Sequence, residues 1–136
     1  MRPVDQTKFG QPEGNCLAAC VASILECRLE DVPDLWEGEQ AGKNWLMLLN
    51  GWLRERHGLA YFCANPMKPD SGFSAWWFPK DCYYVVGGKS PREYVPAGHA
   101  CVGLNGRIVH DPHPSRAGLL AVEDYGFFLK LFPAST

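Results

Sequence analysis

Four side chains with the chemistry of acyl transfer lie in two widely separated parts of the chain. The segment QPEGNC carries Gln11 and Cys16, and the later segment HACVGLNGRIVHDP carries His99 and Asp111. A thiol can attack an acyl carbon, a histidine can take the thiol proton, and a carboxylate can orient the histidine. A glutamine amide can stabilise the oxyanion that forms. These residue types predict a nucleophile at Cys16, a base at His99, an orienting acid at Asp111 and an oxyanion donor at Gln11.

The nucleophile is predicted to open a helix. Asn15 is a good N-cap residue, and the apolar run that follows predicts a buried helix from Cys16 to about Glu26. The start of a helix offers unpaired backbone N–H groups and the positive end of the helix dipole. Both favour a thiolate, so a lowered pKa is expected for Cys16.

The base and the acid are predicted to share a β-hairpin. His99 begins a strand-like run, and the dipeptide Asn105-Gly106 is a strong signal for a two-residue turn. The register set by this turn puts Asp111 roughly opposite Ala100, within reach of His99. The alternation along the returning strand predicts that His110 faces away from the core.

The remaining pattern predicts helices first and an antiparallel sheet afterwards, which is an α+β arrangement. Residues 1–14 read as an extended arm and a turn, and 29–36 as a loop or short helical turn. A second, amphipathic helix is predicted between Asn44 and Gly58. The predicted strands are 59–63, 82–87, 99–104, 107–110 and 127–132.

Length and composition limit the classes of protein. The 136 residues predict a single domain, 1–136, and the net charge of -2 argues against phosphate-driven nucleic-acid binding. The sequence lacks an apolar run long enough for a membrane span and an apolar signal-peptide core, so a cytoplasmic location is expected. The six cysteines are expected to be free thiols, since several lie in apolar runs.

Two segments carry a family resemblance. QPEGNCLAACVASIL and HACVGLNGRIVHDP resemble the nucleophile and histidine motifs of the bacteriocin-processing, double-glycine-type peptidases. The resemblance implies a papain-like cysteine hydrolase fold, with the N-terminal helix bearing the nucleophile packed on an antiparallel sheet. It also implies the four roles above for Gln11, Cys16, His99 and Asp111. The interval from Gln11 to Cys16 is one residue shorter than is usual in that family, which leaves Gln6 as an alternative oxyanion donor.

Other residues are candidates for substrate binding. Ser90 and Arg92 lie in a loop that could hold an anionic group, although a solvated loop is the simpler interpretation. The remaining candidates are Asn15 beside the nucleophile, Trp76 and Trp77 as a substrate wall, and His113 at the rim of a cleft. No metal or other cofactor is expected, because the spacing of the cysteines and histidines does not match a zinc site.

The expected function is cleavage of an amide, isopeptide or thioester bond in a peptide or protein. The whole chain also resembles small proteins of bacteriophages and prophages, which implies a host protein as substrate and the host cytoplasm as location. Two alternatives remain open. One is an acyltransferase or transglutaminase-like enzyme on the same fold, and the other is a non-catalytic phage protein that captures a host protein or metabolite in its cleft.

Overall fold

The fold places its helices before its sheet in the chain. A computed structural model describes residues 1–10, 12–65, 79–92 and 98–135. These residues form helices α1 (Cys16–Leu25), α2 (Leu35–Gln40) and α3 (Trp45–His57), a 3₁₀ turn (Leu29–Asp31), and strands β1 (Leu59–Ala64), β2 (Tyr83–Lys89), β3 (Gly98–Leu104), β4 (Arg107–His110) and β5 (Ala121–Lys130). The predicted α+β class is therefore confirmed. None of the helices that the described residues form is long and apolar enough to cross a membrane.

The sheet is antiparallel, and its last strand in sequence lies near its centre. The strand order is β1-β5-β2-β3-β4, so β5 pairs with both β1 and β2. The predicted start of this strand at residue 127 was wrong by six residues. Glu123, Asp124 and Gly126 interrupt the apolar pattern, and pairing on both sides of the strand overrides that weak local preference.

Capping residues determine where α2 and α3 begin and where α3 ends. In α3 the Asn44 side chain accepts hydrogen bonds from the backbone of Leu46 and Met47, and Gly58 ends the helix in a left-handed conformation. Both ends of this helix were predicted. Helix α2 was not predicted, although Asp34 caps it by accepting the N–H of Glu37. The helix has only six residues, too few for a clear apolar period.

One core joins the helices to the sheet. Helix α1 is buried from Ala18 to Ser23, as its apolar sequence predicted. Leu49 and Leu53 of α3 are fully buried in the same core. The sheet contributes the side chains Tyr61, Val85, Ala100 and Val102.

A bulge alters the predicted register of the β3–β4 hairpin. Gly103 pairs with Ile108, but Val102 pairs with His110, so Val109 has no partner. Cross-strand partners point to the same face of a sheet, and alternate residues of one strand share a face. A regular hairpin would therefore put Asp111 on the face opposite to His99.

The extra residue, Val109, puts the Asp111 side chain on the same face of the sheet as His99. Since His110 pairs with Val102, the next residue, Asp111, comes opposite Cys101, which shares a face with His99. The prediction that Asp111 lies opposite Ala100 was wrong by one residue. The prediction that His110 faces away from the core was also wrong, because the bulge reverses the alternation: His110 is buried, and its Nε2 lies 2.9 Å from the Val4 carbonyl oxygen.

The N-terminal arm runs between α1 and the end of β4. The Val4 N–H donates to Ser23 Oγ of α1, and the Gln6 N–H donates to the Pro112 carbonyl. Asp5 forms an ion pair with Arg116, with nitrogen–oxygen distances of 2.6 and 2.8 Å. The arm therefore joins the helix to the segment that carries Asp111.

Two glycine substitutions test the packing of the sheet. An added Cβ at Gly126 would overlap the side chain of Tyr61, whereas a Cβ at Gly51 would meet no atom within 4 Å. Gly126→Ala is expected to lower the free energy of unfolding by about 1–3 kcal/mol. Gly51→Ala, in the exposed part of α3, is expected to raise it by up to about 1 kcal/mol. Urea denaturation of both variants measures the difference, and equal effects would contradict the close packing of Tyr61 on β5.

Candidate active site

The predicted base and acid are in direct contact. His99 Nε2 lies 2.7 Å from Asp111 Oδ1, and both side chains are buried. Because Nε2 is engaged by the carboxylate, Nδ1 is the ring nitrogen available to exchange a proton with a nucleophile. Asp111 thus fixes both the orientation and the tautomer of His99.

Asp111 is held by more than the histidine. Its Oδ1 also accepts the backbone N–H of His113 at 2.9 Å, and its Oδ2 accepts the N–H of Gly118 at 2.7 Å. Burial acts to raise the pKa of Asp111, but these hydrogen bonds, with that of His99 the largest, lower it below its usual value. Asp111 is therefore a carboxylate at neutral pH, as the orienting role requires.

The predicted nucleophile lies beside the residue that follows the base. Cys16 is the first residue of α1, and its thiol lies close to the backbone of Ala100 in β3. Strand β4 pairs with β3 only from Val102 onward, so Cys16 contacts the part of β3 that β4 leaves uncovered. Within the described residues the thiol forms no hydrogen bond with the His99 ring.

Burial raises the pKa of the Cys16 thiol above its ordinary value. The backbone of Ala100, and that of Leu17 and Cys16 at the start of α1, oppose this rise but do not outweigh it. The expected lowered pKa was therefore wrong, because desolvation of the half-buried sulfur exceeds the effect of the helix terminus. Cys16 is a neutral thiol at rest, and it needs a base to remove its proton.

Asn15 occupies the N-cap position without capping the helix through its side chain. Its Oδ1 accepts the backbone N–H groups of Thr7 and Lys8, and its Nδ2 donates to Thr7 Oγ1. These bonds fix the N-terminal arm against the start of α1. They also leave the first N–H groups of the helix without a side-chain cap, so these groups remain available near the Cys16 sulfur.

Gln6 lies close to this group, whereas Gln11 falls outside the described residues. The Gln6 side chain is buried, and its Nε2 donates to the Lys8 carbonyl at 2.9 Å, while its backbone N–H donates to the Pro112 carbonyl. Its Oε1 is buried without a hydrogen-bond partner. Gln6 is ten residues before Cys16 in the sequence, so the sequence favoured Gln11 as the oxyanion donor. The path of the arm, whose Thr7 and Lys8 bind the Asn15 side chain, brings Gln6 near the start of α1.

His99, Cys101 and Asp111 together could hold a metal ion. One ligand atom from each lies within 4.8 Å of the others, and all three residues are buried. The Cys101 thiol lies beside Asp111, and burial, followed by the charge of Asp111, raises its pKa. The sequence did not indicate this group, because Cys101, two residues beyond His99, lies in an apolar strand.

Some of the predicted substrate-binding residues lie outside the described part of the chain, and others lie within it. Trp76 and Trp77 lie outside the described residues. Ser90 is buried, and its hydroxyl accepts the backbone N–H of Arg92. His113 lies beside His99, and the centroids of the two rings are 6.3 Å apart.

A cavity of about 470 Å³ opens beside the start of α1. Asn15 and Ala18 of the nucleophile helix line it on one side, and Leu35 and Trp36 of α2 on the other. Lys8 and Asp34, 3.1 Å apart, form an ion pair at its edge. The cavity offers both apolar surface and charge beside Asn15 and Ala18. The sequence did not indicate its α2 side, because α2 itself was not predicted.

The protonation of Asp111 predicts a pH dependence of stability. Its folded pKa is lowered, so its contribution is present above the unfolded value and is lost as pH falls below about 4. Asp111→Asn is expected to reduce the free energy of unfolding at pH 7 by about 1–3 kcal/mol, with a smaller reduction at pH 3. Urea titrations at several pH values measure this, and a deficit independent of pH would contradict it.

Asp124→Asn is the control with the opposite sign. Burial raises the pKa of Asp124, with the charge of Glu123 adding to the effect. Ionisation of Asp124 therefore lowers the free energy of unfolding of the wild type as pH rises above the unfolded pKa. In urea titrations Asp124→Asn is expected to be more favourable relative to the wild type at pH 7 than at pH 3.

Comparison with known proteins adds no relative from which a role could be transferred. Neither a protein-family model, nor a curated protein, nor a solved structure matches the chain. A function for this chain therefore has to be inferred from its own residues and their geometry.

Proposed function

We propose that this chain is a papain-like cysteine hydrolase that cleaves an amide, isopeptide or thioester bond. The observation that carries the proposal is the placement of Cys16 against Ala100, the neighbour of a histidine whose Nε2 is held by Asp111 at 2.7 Å. A thiol at a helix start, a histidine at a strand start and a buried carboxylate behind it form the arrangement that nucleophilic acyl transfer needs.

The raised pKa of Cys16 assigns the first proton transfer to His99. As the sulfur–carbon bond forms, the thiol proton moves to His99 Nδ1 and the carbonyl oxygen becomes an oxyanion. The oxyanion then collapses, and the leaving group departs with the proton from His99. Water attacks the thioester while His99 takes a proton from it, which releases the acid and restores the thiol. Asp111 stabilises the charged histidine at both stages.

Backbone and side-chain amides supply the oxyanion donors in this proposal. The N–H of Cys16 is one, because it belongs to the uncapped first turn of α1. A glutamine amide is the other, and Gln6 is the candidate within the described part of the chain. Gln6 Nε2 has a second N–H beyond the one that Lys8 accepts.

Hydrolysis and acyl transfer share every step up to the acyl-enzyme. Acceptor choice decides between them, and mass spectrometry of products formed with competing amines distinguishes water from an amine as acceptor. The proposed substrate is a peptide or protein, and a phage origin would make it a protein of the host.

Acylation by p-nitrophenyl acetate tests the nucleophile and the base without a known substrate. The wild-type protein is expected to release a burst of nitrophenolate and to carry one acetyl group on Cys16, seen in its peptide mass. Cys16→Ala is expected to abolish the burst, and His99→Ala to slow it by about 10²–10⁴-fold. Cys82→Ala, which removes an exposed thiol, is the matched control. A burst retained by Cys16→Ala would disprove the assignment.

The same burst tests the oxyanion donor. Gln6→Ala is expected to lower the acylation rate constant by about 10²–10³-fold, the effect of removing one donor. Gln40→Ala, at the exposed end of α2, is the control for loss of a glutamine away from the site. A normal burst in Gln6→Ala, with a slowed one in Gln11→Ala, would assign the role to Gln11 instead.

A further inference from the structure

A group of hydrogen-bond donors lies on one side of His99, and no carboxylate of the described residues pairs with it. Arg92 Nη1 donates to Ser115 Oγ at 3.3 Å, and the Ser115 N–H donates to His113 Nδ1 at 3.0 Å. The His113 ring in turn packs edge-on against His99, with centroids 6.3 Å apart. These contacts form a continuous path from the guanidinium of Arg92 to the predicted base.

The neutral His113 ring is a hydrogen-bond donor in this group. Because its Nδ1 accepts the Ser115 N–H, the neutral ring carries its proton on Nε2. Burial, followed by the charge of Arg92, lowers the pKa of His113, so the ring is neutral at physiological pH. Its Nε2–H is then a donor that no described residue accepts.

Arg92 is a cation without a carboxylate partner in the part of the chain that the structure describes. The ion pairs of that part involve other residues, and Ser115 Oγ is the one side-chain acceptor that Arg92 contacts there. The nearby carboxylate of Asp111 is already occupied by His99, His113 and Gly118. A half-buried guanidinium most of whose donors meet no acceptor among the described residues, beside a neutral imidazole donor, is suited to bind a carboxylate.

We propose that Arg92 and His113 bind a carboxylate of the substrate next to the bond that Cys16 attacks. The acidic group is either the C-terminal carboxylate of a peptide or an acidic side chain beside the scissile bond. This inference rests on the proposed function only in calling the ligand a substrate. The binding site itself is tested without any hydrolysis.

Paired alkylating reagents measure the preference at Cys16. Iodoacetate and iodoacetamide alkylate a thiol by the same reaction, and they differ in that the first carries a carboxylate and the second an amide. The ratio of the iodoacetate rate to the iodoacetamide rate at one thiol therefore reports how well the surroundings of that thiol bind a carboxylate. We expect this ratio to be at least about tenfold higher at Cys16 than at the exposed thiol of Cys82 in the same protein. Peptide mass spectrometry after timed labelling gives both rates from one sample.

Two variants separate a specific site from general charge. Arg92→Gln is expected to reduce the ratio at Cys16 to that at Cys82, and Arg92→Lys to retain part of it. Any change in the thiol pKa affects both reagents equally, so it cancels in the ratio. Arg107→Gln removes the same charge from the exposed tip of the β3–β4 hairpin and is expected to leave the ratio unchanged.

A second pair of probes identifies the source of the carboxylate. N-bromoacetyl-glycine against N-bromoacetyl-glycinamide places the charge at a peptide C-terminus. N-bromoacetyl-glutamic acid α-amide, whose side-chain carboxylate is free, against N-bromoacetyl-glutaminamide places it on an acidic side chain. The pair with the larger Arg92-dependent ratio identifies the source.

The outcomes are distinguishable from those of the hydrolase proposal. Equal ratios at Cys16 and Cys82, or a Cys16 ratio unchanged in a folded Arg92→Gln protein, would overturn the carboxylate site even if the acetyl burst is normal. A high, Arg92-dependent ratio without a burst would support the site and contradict the hydrolase.

Discussion

One unpaired residue in the β3–β4 hairpin controls the geometry of the candidate site. Val109 has no partner across the hairpin, and this bulge puts the Asp111 carboxylate on the same face as His99. Without it, the two side chains would lie on opposite faces, and the 2.7 Å contact between them could not form. The same bulge turns His110 into the core, where it meets the N-terminal arm at Val4. The orientation of the base thus depends on a local irregularity that also anchors the arm.

The arm converts this local geometry into a site assembled from distant parts of the chain. Asn15 and Ser23 fix it to α1, and Pro112 and Arg116 fix it to the segment that carries Asp111. These contacts bring Gln6 to the start of α1. Burial raises the pKa of the Cys16 thiol. In the proposed mechanism the oriented His99 offsets this rise, because it removes the thiol proton as attack occurs.

Local signals in the sequence were sufficient for the elements that local chemistry determines. Asn44 and Gly58 predicted the ends of α3, and Asn105-Gly106 predicted the hairpin that returns Asp111 toward His99. Features set by long-range contacts were not predictable in this way. The unpaired Val109 and the early start of β5 result from pairing across the sheet, and the proximity of Gln6 results from the path of the arm. The pKa of Cys16 depends on burial, which a single sequence does not specify.

Cys16 and His99 are proposed to act as a nucleophile and its base. The most direct measurement is a crystal structure of the protein after acylation or alkylation of its most reactive thiol. We expect added density on the Cys16 sulfur, with His99 Nδ1 facing that sulfur within hydrogen-bonding reach and Nε2 still held by Asp111. A modified thiol other than Cys16, or a His99 ring whose Nδ1 faces away from the sulfur, would contradict it.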